Sequence, residues 1–340
     1  MVKGKKHGLA AIALEAGVTA ATVSNFINKP HMVSPATKAK IQAAMLKLDF
    51  VPNQAASALR KGFNRLIGLI VPEVTNPFYA ALAESIADAA AKNGFSVALC
   101  VSHDDVESER NLLAQMAQLR AAGVILVPRE INEQQLKQIR LVGTHLVLID
   151  RDDSEHRGCS VVIDDVLGGN LAATHLIRNQ IAASGLTLVN GKADIQQCFD
   201  RREGVRLALS ENAKAEESLI ELVAEHMTVD AGIEMGKKIA KDNLPRDIFC
   251  TNDQLAIGVV RGLRQAGMHV PKDARVVGYG DLDLATEGDV SLTTVAQPTE
   301  QMGTLAFEAM MLDIQADRDH SHEAKVLSPV LAIRDSAPAR

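Results

Sequence analysis

Two groups of side chains in this sequence have types and spacings suited to chemistry. Near the N-terminus, Thr19, Ala20, Ala21, Thr22, Ser24 and Asn25 fall on one face of a helical run. Small side chains would let that face sit deep in a DNA major groove, and the Asn25 amide can bond base edges. Farther on, polar and aromatic residues follow apolar runs: Asn76-Pro77-Phe78-Tyr79, Asp150-Arg151, Arg201 in DRREG, Asn252-Asp253 in TNDQLAIG, Gly278-Tyr279-Gly280-Asp281, and Gln297 in TTVAQP. Residues just past the carboxyl ends of parallel strands are the ones a ligand meets in an open α/β fold.

Other chemistries lack their residues. No GxSxG elbow, GxxxxGK[ST] loop or GxGxxG after a first strand is present, and His103, His145 and His175 are isolated. Cys100, Cys159, Cys198 and Cys250 are scattered with no CxxC pair, so neither a zinc site nor a disulfide framework is indicated. The expectation is a protein that is not an enzyme and has no cofactor.

The elements that carry the first group are helices. LAAIALEA puts Leu9, Ile12, Ala13 and Ala16 on one face, and Gly17 suits the left-handed turn that ends a helix. Thr19 can cap a second helix whose buried face is Val23, Phe26 and Ile27. Ser34-Pro35 opens a third, running through Ile41, Ala44, Met45 and Leu48. Spacing alone fits a helical hairpin with a polar solvent face as well as a DNA-reading unit. Charge points the same way as the second reading. Residues 1–65 hold ten basic side chains against two acidic, +8, and the rest of the 340-residue chain holds 26 basic against 40 acidic, −14. A basic head on an acidic body suits a head that meets a polyanion.

From Leu66 the pattern changes to short apolar runs at 66–71, 95–101, 123–128, 144–150, 186–190, 218–223, 247–251 and 274–280, read as buried parallel strands. Helical segments alternate with them, near 78–93, 107–121 and 132–140 in the first half. That count predicts two α/β lobes facing each other across a cleft. The apolar stretches, such as 66–71, are far short of the ~20 residues of a membrane helix. The N-terminus does not resemble a signal peptide, so a cytoplasmic protein with no membrane partner is expected.

The run LAAIALEAGVTAATVSNFINKPHMVSPATKAKIQAAMLKLDFVPNQAASALR resembles the DNA-binding head of the lac/galactose/purine repressor family almost from end to end. The AGV-T-xx-TVS core, INK, VS-x-x-T and FVPNxxAxxLR all match; Gly8 and Ala11 depart from the family's usual Thr cap and Asp. The resemblance implies DNA contacts from Thr19, Ala20, Ala21, Thr22, Asn25, Asn28 and His31. It also implies a hinge over Asn53–Arg60, where Leu59 would wedge into the minor groove beside Arg60, with Asn53 at its start. An eight-residue segment is too short to hold as a helix alone, so the hinge should order on DNA.

The body is similar to the family's effector domain and to ribose-type periplasmic binding proteins. That likeness implies a sugar-type site in which Phe78 and Tyr79 stack on a ring, while Asp150, Arg151, Arg201, Asn252 and Gln297 bond hydroxyls. The plainer alternatives are helix-start packing for the aromatic pair and a local ion pair for Asp150-Arg151. Family members usually carry Asp where this chain has Gly280, so one anchor is missing and Asp281 is the nearest substitute.

The expected organisation is a helix-turn-helix domain at 1–52, a hinge at 53–65 and an effector-binding and dimerisation domain at 66–340. Its lobes are read as 66–161 plus 292–322, and 162–291 plus 323–340. The implied partners are double-stranded operator DNA, a sugar, polyol or nucleoside-like effector, and a second copy of the chain. Without a C-terminal leucine heptad, a homodimer is expected. The implied function is repression of a carbon-metabolism operon; a regulator with a degenerate, ligand-independent effector domain is the alternative.

Overall fold

The computed structural model describes residues 8–28, 32–50, 64–129, 143–151, 158–178, 185–212, 218–288, 290–316 and 321–339. His31, Asn53, Leu59, Arg60 and the expected helix near 132–140 lie outside the described residues. The chain divides into two compact units at 64/65, and each is described by itself.

In the first unit, α1 (Leu9–Ala16), α2 (Ala20–Asn28) and α3 (Pro35–Lys47) surround a core of Ile12, Ala13, Ala16, Val23, Ile41 and Ala44. Gly17 takes φ +65° and ends α1, after which α2 turns away by 105°. The Thr19 hydroxyl accepts the Thr22 N–H at 3.1 Å, and Ser34 accepts the Thr37 N–H at 3.3 Å. Both caps satisfy donors that the first turn of a helix leaves open. Gly8 gives α1 no side-chain cap.

The second unit has two six-stranded sheets. The first joins β1 (Asn64–Val71), β2 (Ser96–Val101), β3 (Ala121–Leu126), β4 (His145–Ile149), β5 (Cys159–Ile163) and β11 (Ala324–Leu327), in the order β11-β5-β4-β3-β1-β2. The second joins β6 (Leu186–Asn190), β7 (Leu219–Val223), β8 (Asp247–Cys250), β9 (Arg275–Gly280), β10 (Thr293–Ala296) and β12 (Val330–Ala332), in the order β12-β10-β9-β8-β6-β7. Helices α4 (Pro77–Lys92), α5 (Val106–Gln118) and α10 (Thr299–Ala316) belong to the first lobe. Helices α6 (Asp165–Arg178), α7 (Gln196–Glu211), α8 (Val229–Lys241) and α9 (Asp253–Gln265) belong to the second.

Three features differ from the sequence reading. β2 is an edge strand, half-exposed with Leu99 47% accessible, because it pairs only with β1. β5, β10, β11 and β12 were not read as strands. The lobe boundaries shift as a result: 292–296 belongs with the second lobe, where β10 runs parallel to β9, and 324–327 with the first, where β11 runs parallel to β5. The chain therefore crosses between lobes after β5, after β10 and between β11 and β12.

Helices α8 and α9 cross at glycines. A Cβ on Gly258 would sit 2.1 Å from the Val229 carbonyl oxygen, and one on Gly232 2.3 Å from that of Leu255. The C-terminal segment is tied into the second sheet, where the buried Ser336 hydroxyl donates to the Val276 carbonyl at 2.6 Å and accepts the Thr293 N–H at 2.8 Å.

Candidate functional site: a helix face and an interlobe cleft

On α2, Thr19, Ala20, Ala21 and Asn25 are exposed and Thr22 is half-buried. Thr19 spends its hydroxyl on the cap and on Thr22 Oγ1, 2.8 Å away. Ala20, Ala21 and Asn25 thus make the accessible surface of the helix face, and Asn28 ends the helix. The Asn25 amide has no hydrogen bond among the described residues, so both of its ends are open to a base edge.

In the body, strand ends of both lobes enclose an inner chamber of about 90 Å³. The first lobe contributes Asn76, Phe78, Tyr79 and Asp150; the second contributes Gln197, Cys198, Arg201, Met227, Asn252 and Tyr279; Gln297 comes from the crossover after β10. Tyr79, Asn76, Ile195, Gln197 and Met227 also border an outer vestibule of about 490 Å³. Arg151 lines the vestibule and not the chamber.

Asp281 is a correction. Its Oδ1 accepts from Arg334 Nη2 at 2.6 Å, and it borders a groove behind the chamber, so it does not replace the missing acid. The C-terminal segment brings Arg334 to it, a partner that no local pattern announces. Gly280 takes φ +141°, and a Cβ there would lie 3.1 Å from Asp253 Oδ2.

The centre of the chamber is Arg201. Its Nε donates to Asp165 Oδ1 at 2.8 Å, its Nη1 to the Thr251 carbonyl at 2.6 Å, and its guanidinium lies 3.7 Å over the Tyr279 ring. The Tyr279 hydroxyl donates to the same Asp165 oxygen at 2.6 Å. Burial works against the Arg201 charge, and the Asp165 carboxylate outweighs it, leaving the guanidinium pKa above its ordinary value. Asp165 and Tyr279 were missed as site residues. Asp165 follows a strand that was not read, and Tyr279 was noted only as part of the Gly-aromatic pair.

Asp150 is different. Burial, followed by the like charge of Asp165, pushes its carboxyl up to about 7, while Arg201 and Gln197 pull the other way. Burial and then Asp150 push the Tyr79 phenol well above its usual range. Phe78 and Tyr79 meet edge to face at 5.2 Å, so the pair forms one aromatic wall. Asn252 uses both ends of its amide, accepting the Leu255 N–H at 2.8 Å and donating to the Met227 carbonyl at 2.9 Å. Its oxygen and one of its two N–H groups are thereby engaged, and the residue helps to shape the chamber.

Among the described residues, two side-chain hydrogen bonds join the lobes across the cleft. Gln197 Nε2 donates to the Asp150 carbonyl at 3.3 Å, and Arg129 Nη2 meets Asp194 Oδ2 at 2.5 Å. Arg129 is itself fixed: its N–H donates to Glu109 at 2.9 Å, its carbonyl accepts from Arg151 Nη1, and its Nη1 is 3.2 Å from Asp104. Sequence reasoning gave no signal for either Arg129 or Asp194.

A three-helix head with an open recognition face, followed by two α/β lobes around a polar chamber, defines a DNA-binding regulator with a periplasmic-binding-protein-like body. Residues 9–53 match the family model "Bacterial regulatory proteins, lacI family", and residues 173–337 match "Periplasmic binding protein-like domain". The chain thus carries a lacI-family DNA-binding domain followed by a periplasmic-binding-protein-like domain. It is similar to the HTH-type transcriptional repressor PurR of Aliivibrio fischeri (strain MJ11), 28% identical over 331 residues that cover 96% of each chain. It is also similar to a ribose-bound LacI family transcriptional regulator from Enterococcus faecium, 27% identical with a TM-score of 0.73, covering 81% of this chain and 99% of that one. The lac repressor dimer bound to operator and the anti-inducer ONPF is 22% identical, with a TM-score of 0.83 over 98% and 100% of the two chains, a likeness of fold. Among the described residues, no single helix is long and apolar enough to cross a membrane.

Proposed function

We propose that the protein is a cytoplasmic, homodimeric transcriptional repressor that reads a near-palindromic operator and is controlled by a small molecule held between its lobes. The observation that carries this reading is the joining, in one chain, of an open α2 face bearing Ala20, Ala21 and Asn25 to a polar interlobe chamber centred on Arg201. Relatives spanning almost the whole chain are named as repressors, which supports the sign of regulation. One head covers a half-site, so two copies match a two-fold operator. The DNA contacts are assigned to Thr19, Ala20, Ala21, Thr22, Asn25, Asn28, His31, Asn53, Leu59 and Arg60. Lysine and arginine side chains of the head set affinity and its salt slope.

The effector contacts are assigned to Phe78, Tyr79, Asp150, Arg151, Arg201 and Gln297, with Asn252 shaping the wall. A sugar, polyol or nucleoside-like effector and a carbon-metabolism operon remain the working assignment. A second reading, a ligand-independent body, is favoured by the chamber's volume of about 90 Å³, below the roughly 300–1,000 Å³ of drug-sized sites. Selecting an operator from a random pool, then footprinting it against pentoses, polyols, nucleosides and purines, separates the two. Protection that changes with one compound class supports control; protection unmoved by all of them supports the second reading.

A further inference from the structure

We propose that the effector is a small polyhydroxy carboxylate, a sugar acid, whose carboxylate is taken by Arg201. The proposal rests on the reading of the chamber as an effector site and names the chemistry of its ligand.

Acceptors and donors around the chamber are unequal in number. A neutral sugar brings several hydroxyls, and each buried O–H needs an acceptor. Among the described residues, Asp165, Asp253 and Asp281 lie near the chamber without lining it. Asp165 Oδ1 already takes both the Arg201 Nε–H and the Tyr279 O–H. Position 280 is glycine, and Asp281 is turned outward to Arg334. Asp253, behind Gly280, is fully buried and accepts from Thr294 Oγ1 at 2.6 Å and from the Leu282 N–H at 2.9 Å. Among the described residues, Asp150 is the one acid lining the chamber.

Donors, by contrast, are in surplus. Arg201 spends Nε and Nη1, and its Nη2 has no hydrogen bond among the described residues. Asn76 commits its oxygen to the Phe78 N–H at 3.1 Å, which leaves its NH₂ open. The Tyr79 hydroxyl and the Gln297 carboxamide, each able to donate as well as accept, carry no hydrogen bond among the described residues. At the mouth, Arg151 bonds the Arg129 carbonyl and has no carboxylate partner among the described residues. A carboxylate accepts only, so it is the group that a wall of N–H and O–H donors around a held guanidinium suits best. A planar carboxylate also fits about 90 Å³, with the polyol chain continuing past Tyr79 into the vestibule.

Asp150 gives the proposal a second signature. It faces Asp165 from α6, Arg201 and Gln197 from α7 and Tyr79 from α4. A ligand carboxylate adds a further like charge and drives Asp150 to its neutral form, in which it donates to the ligand. Binding therefore takes up a proton, and affinity rises as pH falls from about 8 to about 6.

The test is calorimetry on the full chain with matched pairs: D-ribonate against D-ribose, and D-gluconate against D-glucose. Hypoxanthine and ribose 5-phosphate are further probes. Titrations in buffers of different ionisation heat count protons. The expected result is an acid bound about ten- to a hundredfold more tightly than its aldose. It comes with uptake of about half a proton at pH 7. Asp150→Asn should abolish the uptake while keeping the preference for the acid. Because the preference for the acid and the proton uptake are both read on the wild-type chain, they stand even if Asp150→Asn does not fold. Equal or tighter binding of the aldose overturns the inference, as does binding of the acid without proton uptake. Tighter binding of hypoxanthine or the phosphate overturns it and leaves a ligand-controlled regulator standing. No binding by any probe, with operator affinity unmoved by all of them, counts against both.

Discussion

Arg129 of one lobe and Asp194 of the other approach to 2.5 Å across the mouth of the cleft, and Asp104 lies 3.2 Å from the same guanidinium. Both ends of the Arg129 peptide unit are fixed, by Glu109 and by Arg151. The pair therefore forms a clasp with a held root, on the wall of the vestibule.

Replacing Asp194 by Asn should loosen that clasp. An exposed pair is weak on its own, so the expected change is modest: effector dissociation about two- to fivefold faster, with the difference vanishing in high salt. The Arg129 bond holds the Asp194 carboxyl below its ordinary range. The sign follows: the pair persists above the usual carboxylate value and is lost only as pH falls through the depressed one. Small-angle scattering against pH should show the wild-type lobes opening as pH falls through the depressed carboxyl value, and no such step in Asp194→Asn, which has no carboxyl to titrate. Identical profiles would remove the clasp.

Asp165→Asn should be costly. It leaves the Arg201 guanidinium, 9% accessible, without its carboxylate, a loss of about 3–5 kcal/mol for a broken buried pair. Urea unfolding checks the value. A change below about 1 kcal/mol would show that Thr251 and solvent already satisfy Arg201.

Gly258→Ala tests the crossing of α8 and α9. With 2.1 Å to the Val229 carbonyl oxygen, the helices must separate or the mutant must lose about 1–3 kcal/mol to overpacking. A melting temperature equal to that of wild type would contradict so close a crossing.

Asn25→Ala should change which operator is preferred, whereas Lys40→Ala should lower affinity on all sequences and flatten the salt slope. Selection from a random pool reads both. An unchanged preferred sequence would take Asn25 off the reading surface.

The head was largely legible because its signals are local. Gly17 ends α1, Thr19 caps α2, and Ser34-Pro35 opens α3, each within a turn of the residues it serves. Eight strands are legible as apolar runs, the four-residue β8 among them. CSVVI, TTVA, AKVL and VLA are not, and the last three, with only three or four residues each, become strands through partners such as β9 and β5. In the chamber, Phe78, Tyr79, Asp150, Arg201, Asn252 and Gln297 were picked out by position after strands. The roles of Asp165 and Asp281 were hidden because Arg201 and Arg334 reach them from 36 and 53 residues away.

The central claim is that a head reading one DNA sequence is governed by a body that binds a small molecule. It is tested most directly by fluorescence anisotropy of the full chain on its selected operator and on a scrambled duplex, with and without each compound of the screen. The account predicts tighter, salt-sensitive binding to the operator over the scrambled duplex, shifted by tenfold or more by one compound class. Equal binding to both duplexes, or operator binding that no compound alters, would contradict it.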